Sequence, residues 1–213
     1  MSASHIIAIA GPSCAGKTEL AKSLSRQLSA SILPMDVYYR DLDFLPLESR
    51  CQFNFDLPDA VDRHLLRQHL TALAAGLPVQ RPVYDFKVHT RSSLCETVTP
   101  GRYLILEGLF ALYWEDLRPL FGTKVYIDAP DDVCFARRQV RDVRERGRTV
   151  EYVYKQWVEI VRPMAELYVR PTRRFADIVV SGEVPLEQSS AAVLAQINAA
   201  HPVDPRASGI TPK

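Results

Sequence analysis

A phosphate-binding loop carries the clearest chemistry in this sequence. The segment GPSCAGKT matches G-x-x-x-x-G-K-[ST] directly after an apolar run and directly before an amphipathic helical pattern. In such a loop the backbone N–H groups point at phosphate oxygens, Lys17 reaches the β and γ phosphates, and Thr18 offers its hydroxyl to Mg²⁺. A chance glycine turn is the alternative, which this complete setting disfavours. The residues predicted to bind the nucleotide are Gly11, Pro12, Ser13, Cys14, Ala15, Gly16, Lys17 and Thr18.

Two acids directly follow apolar runs and are candidates for catalytic or metal-binding roles. Asp36 ends the run SILPMD, and Glu107 ends the run RYLILE. In an open parallel sheet the ligand crevice lies outside the carboxyl ends of the strands. Two carboxylates there can have different roles: one accepts the proton of an attacking hydroxyl, and the other helps to hold a metal. For either acid alone, a helix N-cap or a solvated turn residue is the alternative.

Six arginines cluster in the segment RRQVRDVRERGR. They are Arg137, Arg138, Arg141, Arg144, Arg146 and Arg148. A solvated helix face and a nucleic-acid patch are two interpretations, but the net charge of +1 and the lack of interleaved aromatic residues disfavour nucleic acid. We favour a third: the helix ends near Gly147, and Arg146 and Arg148 lie on a mobile lid that closes over a triphosphate.

Five short apolar runs predict the sheet that positions these groups. Each ends in glycine or an acid, and helical patterns lie between most of them, which favours a parallel sheet covered by helices on both faces. The runs are HIIAIAG (5–11), SILPMD (31–36), RYLILEG (102–108), KVYID (124–128) and ADIVVSG (176–182). The pattern therefore predicts an α/β fold.

Helical patterns complete this alternation, and two segments do not fit it. The helical patterns cover residues 17–29, 58–76, 130–147 and 150–168. Pro58 marks the start of the second and Gly76 its end, and Pro163 is predicted to kink or divide the fourth. Residues 37–57 and 78–100 are predicted to form loops and a hairpin, where substrate-binding groups are often placed.

The stretch VYDFKVHTR, residues 83–91, looks like a strand with unusual polar chemistry. Apolar and polar residues alternate through it, so a straight strand would turn Asp85, Lys87 and His89 to water. His89 is either such a solvated side chain or a substrate reader, because an imidazole both donates and accepts hydrogen bonds. The pattern alone leaves both interpretations open.

Length and composition are typical of a globular protein. With 213 residues, we predict one domain over residues 1–200 and a flexible tail over 201–213. No nucleic-acid or membrane partner is expected from the net charge of +1, and the first apolar run is too short for a signal peptide or a membrane span, so we expect a cytoplasmic location. The four cysteines form no C-x-x-C pair and are expected to be reduced thiols.

The order of the motifs resembles that of a known family. GPSCAGKT, MDVYY, NFDLPDAVD, YDFKVHTR, LEGLFAL, RRQVRDVRERGR and RPTRRFADIVV follow one another as in the uridine (uridine-cytidine) kinases, of the phosphoribulokinase-like branch of P-loop kinases. The resemblance covers residues 5 to about 182. The phosphate loop is shared by many NTPases, but NFD-x-PDA-x-D followed by YDF-x-x-H-x-R is much more specific.

The resemblance implies catalytic roles for matching positions. Asp36 would be the general base for a nucleoside 5′-hydroxyl, with ATP, or GTP in its place, as phosphoryl donor. Thr18 and Glu107 would serve Mg²⁺. The groups that would stabilise the transferring phosphate and bind the donor are Lys17, Arg141, Arg146 and Arg148.

The resemblance also implies a nucleoside site. Phe55 would line it, Asp56 and Arg138 would hold the ribose hydroxyls, and Tyr84 and His89 would contact the pyrimidine base. Further nucleoside contacts would come from Arg148 and Gln156. Because Tyr84 and His89 are five positions apart, both reach one base only if the chain turns or bulges between them.

The resemblance finally implies an architecture and leaves rivals open. It implies a P-loop NTPase fold with a five-stranded parallel sheet, a β-hairpin arm near 78–100, an arginine lid near 137–157, and a homotetramer that makes UMP or CMP. Val37 and Leu57 stand where the family often has Ser and His, and both are expected near the acceptor site. The alternatives are a related kinase for ribulose 5-phosphate, pantothenate or nicotinamide riboside, a regulatory or hydrolytic P-loop NTPase, and an RNA-binding module.

Overall fold

The central strand is apolar on both faces, and the rest of the fold is built around it. In the computed structural model, which describes residues 4–200, every residue from Ile6 to Ala10 is fully buried. Ile6 packs in a core with Leu66, whereas Ile7 packs in a second core with Leu20 on the opposite face. Alternate residues of one strand therefore enter two cores, as expected for a sheet covered on both sides.

The strands confirm the predicted parallel sheet. In chain order they are β1 His5–Ala10, β2 Ser31–Pro34, β3 Val79–Asp85, β4 Thr90–Val98, β5 Tyr103–Glu107, β6 Thr123–Asp128 and β7 Ile178–Ser181. Five of them form the sheet in the order β2-β5-β1-β6-β7, and every pairing within it is parallel. The carboxyl ends of β1, β2 and β5 therefore lie side by side at one edge.

The helices cover both faces of this sheet. They are α1 Lys17–Leu28, α2 Leu47–Cys51, α3 Arg63–Ala74, α4 Asp131–Arg146, α5 Val150–Gln156, α6 Arg162–Met164 and α7 Leu186–Ala200. Short 3-10 segments lie at Met35–Tyr38, Pro58–Ala60, Arg118–Leu120 and Arg170–Phe175. Helix α7 was not predicted, and it packs against α1, where Ser190 donates a hydrogen bond of 2.8 Å to Ser23.

The second helical pattern, which corresponds to α3, does not start at Pro58 as predicted. Pro58–Ala60 is a 3-10 turn, after which Val61 forms an isolated antiparallel bridge with Tyr39. Helix α3 begins at Arg63 because the carboxylate of Asp62 accepts a hydrogen bond from the Leu65 N–H at 3.1 Å, which caps the first turn. The predicted end at Gly76 is confirmed by its φ of 81° just after the helix.

The helix around Pro163 is divided, as predicted. α5 is followed by a π-helical segment, Trp157–Val161, then by the three residues of α6, and then by a second π-helical segment, Ala165–Val169. Proline has no N–H to donate and its ring clashes with the preceding turn of an α-helix. The wider π turns on either side accommodate this local misfit.

The segment 78–100 contains a two-stranded antiparallel hairpin, formed by β3 and β4. Tyr84 pairs with Arg91, and the chain reverses between them. His89 ends the turn with a φ of 54°, in the left-handed region. The interpretation of 83–91 as a straight strand is therefore wrong, whereas the turn required between Tyr84 and His89 is confirmed.

Three further expectations concern membrane spans, the cysteines and the C-terminal tail. Within residues 4–200, no helix combines the length and the apolar character needed to cross a bilayer. All four cysteines lie within residues 4–200, and none forms a disulfide there. The tail over 201–213 lies outside the described residues.

Candidate active site

One cleft of about 1280 Å³ opens at the carboxyl ends of β1, β2 and β5 and runs from the phosphate-binding loop to the hairpin. It brings together nearly all of the predicted site residues. Those that line it are Ser13, Cys14, Ala15, Gly16, Lys17, Thr18, Asp36, Phe55, Asp56, Tyr84, His89, Glu107, Arg138, Arg141, Arg146, Arg148 and Gln156. Gly11 and Pro12 do not line the cleft, but their carbonyl oxygens accept hydrogen bonds from Lys17, which does.

The phosphate-binding loop connects β1 to α1 and holds its lysine inward. Lys17 is only 8% exposed, and its Nζ donates hydrogen bonds to the carbonyl oxygens of Gly11 at 3.0 Å and Pro12 at 2.8 Å. Gly11 has a φ of 149°, and a Cβ there would lie 2.5 Å from the Ile127 carbonyl oxygen. Only glycine fits, because the loop packs directly on β6.

Thr18 and Glu107 meet at the floor of the cleft. The Thr18 hydroxyl donates a hydrogen bond of 3.3 Å to the Glu107 carboxylate. Burial, the largest cause, and the negative charge of Asp36 together raise the pKa of Glu107 to about 7, against the opposing effect of Lys17. Two carboxylates thus share a partly desolvated space next to a hydroxyl, an arrangement that a cation would stabilise.

Asp36 has a tyrosine partner that sequence reasoning missed. It lies in the 3-10 segment directly after β2, where positions three apart share one side, and the hydroxyl of Tyr39 hydrogen-bonds its carboxylate. Burial raises the pKa of Tyr39, and the charges of Asp36 and Asp56 raise it further. The phenol therefore stays protonated and donates to Asp36. The three-residue spacing in MDVYY was the available signal.

Asp56 lies between the two ends of the cleft. Burial raises its pKa, the positive charge of Arg138 opposes this, and the negative charge of Asp36 adds to it. Asp56 is thus close enough to Asp36 and Arg138 to interact with both. A hydroxyl-rich group placed here would find one carboxylate acceptor and one guanidinium donor.

The hairpin end of the cleft is an aromatic pocket. Phe55 and His89 are stacked with ring centroids 4.9 Å apart and planes at 20°. The Tyr84 ring lies edge-on to Phe55 at 6.5 Å, and its hydroxyl is buried without a hydrogen-bond partner among the described residues. Phe53 and Phe86, which were not predicted, extend this wall. A buried phenol that lacks a partner is suited to a polar ligand group.

His89 is held neutral by its surroundings. Burial lowers the pKa of its imidazole, and the positive charges of Arg148 and Arg146 lower it further. A neutral imidazole has one donor and one acceptor nitrogen. The predicted joint contact of Tyr84 and His89 with one ligand is geometrically available, because both line the same cleft.

The arginine cluster surrounds a buried carboxylate that was not predicted. Helix α4 ends at Arg146, and Gly147 caps it in the left-handed conformation, so Arg146 lies on the last helical turn and only Arg148 lies beyond it. Asp142 is completely buried and forms ion pairs with four arginines. They are Arg138, Arg141, Arg146 and Arg148. The acid was visible in the segment RRQVRDVRERGR but was not singled out.

Arg137 and Arg144, the two remaining arginines, do not pair with Asp142. Arg137 donates a hydrogen bond of 2.8 Å to the Gly182 carbonyl and lines the cleft, whereas Arg144 does not line it. Val37 packs in the core beneath the 3-10 segment, and neither Val37 nor Leu57 lines the cleft. The departures at these two positions are thus not in direct contact with the space for an acceptor.

The chain matches a family model and several curated relatives. Residues 6–187 match the model described as the phosphoribulokinase / uridine kinase family. Over 178 residues the chain is 46% identical to the uridine kinase of Deinococcus deserti. The alignment covers 82% of this chain and 86% of that relative. It is 42% identical over 178 residues to the uridine kinase of Bacillus licheniformis, with coverage of 82% and 84%.

A solved structure shares the fold. The phosphoribulokinase from Rhodobacter spheroides superposes with a TM-score of 0.64 at 14% identity, over 84% of this chain and 70% of that chain. At this identity the likeness supports the architecture alone. The predicted P-loop kinase fold is thereby confirmed.

Proposed function

The chain belongs to the phosphoribulokinase / uridine kinase family, and from this premise we propose that it transfers the γ-phosphoryl group of ATP to the 5′-hydroxyl of uridine, and of cytidine, giving the monophosphate and ADP. One observation carries the proposal. One cleft holds a phosphate-binding loop at one end, an aromatic pocket with a phenol that has no partner within residues 4–200 at the other, and Asp36 among its lining residues.

Asp36 is assigned the role of general base. A carboxylate within reach of the acceptor hydroxyl accepts its proton as the new P–O bond forms and the bond to ADP breaks. Tyr39 donates a hydrogen bond to this carboxylate and so orients it. Lys17 and the arginines Arg141 and Arg146 place positive charge along the lining of the cleft, where negative charge is redistributed during transfer.

The residues present fit Mg²⁺. Thr18 and Glu107 offer a hydroxyl and a carboxylate oxygen 3.3 Å apart, and Mg²⁺ prefers oxygen ligands, several of them water or phosphate. We propose that these two residues hold the ion, directly or through water. When bound, Mg²⁺ neutralises charge on the phosphates of the donor.

The acceptor is held through its base and its ribose. The stacked pair Phe55 and His89 lines the pocket near the hydroxyl of Tyr84, which is free to bond the base. Asp56 and Arg138 are assigned to the ribose hydroxyls, and Gln156 and Arg148 to further nucleoside contacts. Closure of the arginine lid after nucleoside binding would exclude water, a competing acceptor.

Three finer statements belong to the same proposal. We expect GTP to serve as an alternative donor, a homotetramer in solution, and a cytoplasmic location. The hairpin exposes Leu94 at 67% and the adjacent loop exposes Phe44 at 74%, and such apolar groups favour contacts between subunits. Light scattering coupled to gel filtration measures the assembly, and a monomer at micromolar concentration would contradict the tetramer.

An acceptor panel tests the function. ADP release is measured with ATP, Mg²⁺ and, separately, uridine, cytidine, adenosine, ribulose 5-phosphate, pantothenate and nicotinamide riboside. The proposal expects turnover with the two pyrimidine nucleosides and the monophosphate as product. Turnover with a non-pyrimidine acceptor alone would overturn the assignment, and ADP release that is independent of any acceptor would indicate a hydrolytic NTPase.

A further inference from the structure

The carboxylate of Asp142 is the centre of the arginine cluster. Its Oδ1 accepts from Arg141 through Nε at 2.9 Å and lies 2.8 Å from Nη2, while its Oδ2 accepts from Arg148 Nη1 at 3.0 Å. Arg146 Nη1 lies 3.5 Å from Oδ1, and Arg138 Nε lies 3.6 Å from Oδ2. One fully buried acid therefore faces four guanidinium groups.

The main chain of Asp142 reinforces this arrangement. Its carbonyl oxygen accepts the N–H of Gly147, which caps α4, and also the N–H of Arg148 at 3.1 Å. Arg148 is thus attached to Asp142 through both its backbone and its side chain. The end of the helix and the start of the following segment are fixed by one residue.

The cluster needs a counterion in the absence of a ligand. Burial and the nearby charges of Arg141, Arg148 and Arg138 lower the pKa of Arg146, which reflects repulsion between crowded cations. Burial alone would raise the pKa of Asp142, but the surrounding arginines outweigh it and hold that pKa below its usual range. Asp142 is therefore ionised at neutral pH and offsets part of this repulsion.

The cluster remains directed at the phosphate-binding loop. Arg138 Nη1 donates a hydrogen bond of 2.9 Å to the Ser13 hydroxyl, and all four arginines line the cleft. A guanidinium has five N–H donors in a rigid fork, and Asp142 occupies only some of them on each arginine. The others stay available for phosphate oxygens.

We propose that Asp142 is a positioning residue that gathers the four cleft arginines into one array and orients the free N–H groups of Arg141, Arg146 and Arg148 toward the donor triphosphate. This inference rests on the proposed kinase activity. Asp142 contacts no reacting atom and acts only through the arginines. Its negative charge weakens the attraction of the array for an anion, while its geometry improves the placement of each donor.

The positioning role predicts that loss of the Asp142 charge lowers kcat without weakening the binding of an anion. A residue that only stabilised the fold would not separate these two quantities. Asp142→Asn keeps the shape but removes the charge, so the arginines lose their common orientation while the cleft becomes more positive. We expect kcat to fall about 10- to 100-fold, because small misplacements of catalytic groups cost this much. The Kd of inorganic tripolyphosphate, measured by calorimetry without acceptor, is expected to stay unchanged or to decrease.

Two further variants complete the experiment. Asp132→Asn removes an exposed acid from the first turn of the same helix and should leave kcat and the tripolyphosphate Kd unchanged. Asp142→Glu keeps the charge but moves the carboxylate by one methylene, and should give an intermediate kcat with a wild-type Kd. If Asp142→Asn does not fold, Asp142→Glu carries the test.

The possible outcomes distinguish the positioning role of Asp142 from the proposed kinase activity. For Asp142→Asn, an unchanged kcat would overturn the positioning role, and so would a lower kcat together with a weaker affinity for tripolyphosphate. For Asp142→Glu, a wild-type kcat or a weakened affinity would overturn it. Failure of the wild-type protein to phosphorylate any pyrimidine nucleoside would instead overturn the proposed function. In that case the ratio of variant to wild type, measured with the acceptor that the panel identifies, still tests Asp142.

Discussion

The two ends of the cleft are built on different physical principles. At the phosphate end, charged groups are buried and paired: Lys17 with loop carbonyls, Thr18 with Glu107, and the arginines with Asp142. At the hairpin end the wall is aromatic, and the phenol of Tyr84 has no partner among the described residues. Most charged groups of the first end have partners before a ligand arrives, although Arg138 Nε is buried without a hydrogen bond among the described residues, whereas the second end presents an unpaired phenol.

This difference predicts different kinetic consequences. Preorganised charges act on the phosphoryl group as its charge changes, so substitutions at the phosphate end should lower kcat. Stacking surfaces and single hydrogen bonds act on the bound acceptor in the ground state as well, so substitutions at the hairpin end should mainly raise KM. The predictions below would break this division if the two parameters moved the other way.

The largest effect is expected from Asp36→Asn. An amide cannot accept the proton of the acceptor hydroxyl, so kcat should fall about 10²- to 10⁴-fold. ATP binding, measured by calorimetry, should remain within a few-fold of wild type. Asp43→Asn, an exposed acid in the loop that follows, is the matched control and should retain full activity. A kcat near that of the wild type for Asp36→Asn would remove this residue from the role of base.

A second large effect is expected from Arg141→Gln. Loss of a guanidinium from the phosphate end should lower kcat about 10²- to 10³-fold with a smaller change in the KM for uridine. Steady-state kinetics measures both. Arg144→Gln removes an arginine from the same helix that does not line the cleft, and its kcat should match the wild type. Equal losses in the two variants would show that only the overall charge of the helix matters.

At the hairpin end, Tyr84→Phe should raise the KM for uridine about 3- to 10-fold with little change in kcat, because one neutral hydrogen bond contributes about 1 kcal/mol. Tyr126→Phe is the control, since its hydroxyl is also buried without a partner among residues 4–200 but does not line the cleft. Its KM should be unchanged. A wild-type KM for Tyr84→Phe would indicate that the phenol does not contact the base.

The smallest effect is expected from protonation of His89. Because burial and the nearby arginines lower its pKa, the imidazole is neutral at pH 7 and gains a proton only at a pH below its usual value of about 6.5. The KM for uridine should be flat above neutral pH and rise a few-fold under more acidic conditions. His89→Gln keeps a donor and an acceptor and should abolish this dependence. The same rise in His89→Gln would assign it to another group.

The same titration has a consequence for stability. The unfolded chain binds this proton more readily than the folded protein, since the folded pKa is the lower one. The contribution of His89 to the free energy of unfolding is therefore unfavourable under acidic conditions, and its penalty disappears as the pH rises through the usual imidazole range. The difference in melting temperature between wild type and His89→Gln should therefore vary with pH under acidic conditions and become constant above neutral pH.

The phosphate end was predictable because its residues are contiguous. The loop needs only eight consecutive residues with glycines at fixed positions, and Asp36 and Glu107 follow apolar runs whose strands are adjacent in the sheet. The tertiary partners were not predictable in the same way. Asp142 was visible as one of two acids, with Glu145, among six arginines, but only the burial of its carboxylate distinguishes it from a solvated residue of a charged helix.

The hairpin end shows the opposite limitation. The alternating pattern of residues 83–91 favoured a straight strand, and the pattern contains no glycine to mark the turn. The chain turns there nevertheless, with His89 at a φ of 54° and its ring stacked on Phe55, which comes from a distant segment. Stacking between rings that are far apart in sequence is a tertiary interaction, and local propensity does not encode it.

The sequence by itself determined the class of fold, which five segments form the sheet, the nucleotide loop and the family. These features depend on apolar periodicity and on short motifs whose chemistry is local. Only the tertiary structure decided which arginines share one buried carboxylate, that Tyr39 hydrogen-bonds Asp36, and that Tyr84 lines the cleft with a buried hydroxyl that has no partner among residues 4–200. The reason is physical: burial and pairing of a polar group depend on side chains brought together from separate segments, so they follow from packing and not from spacing.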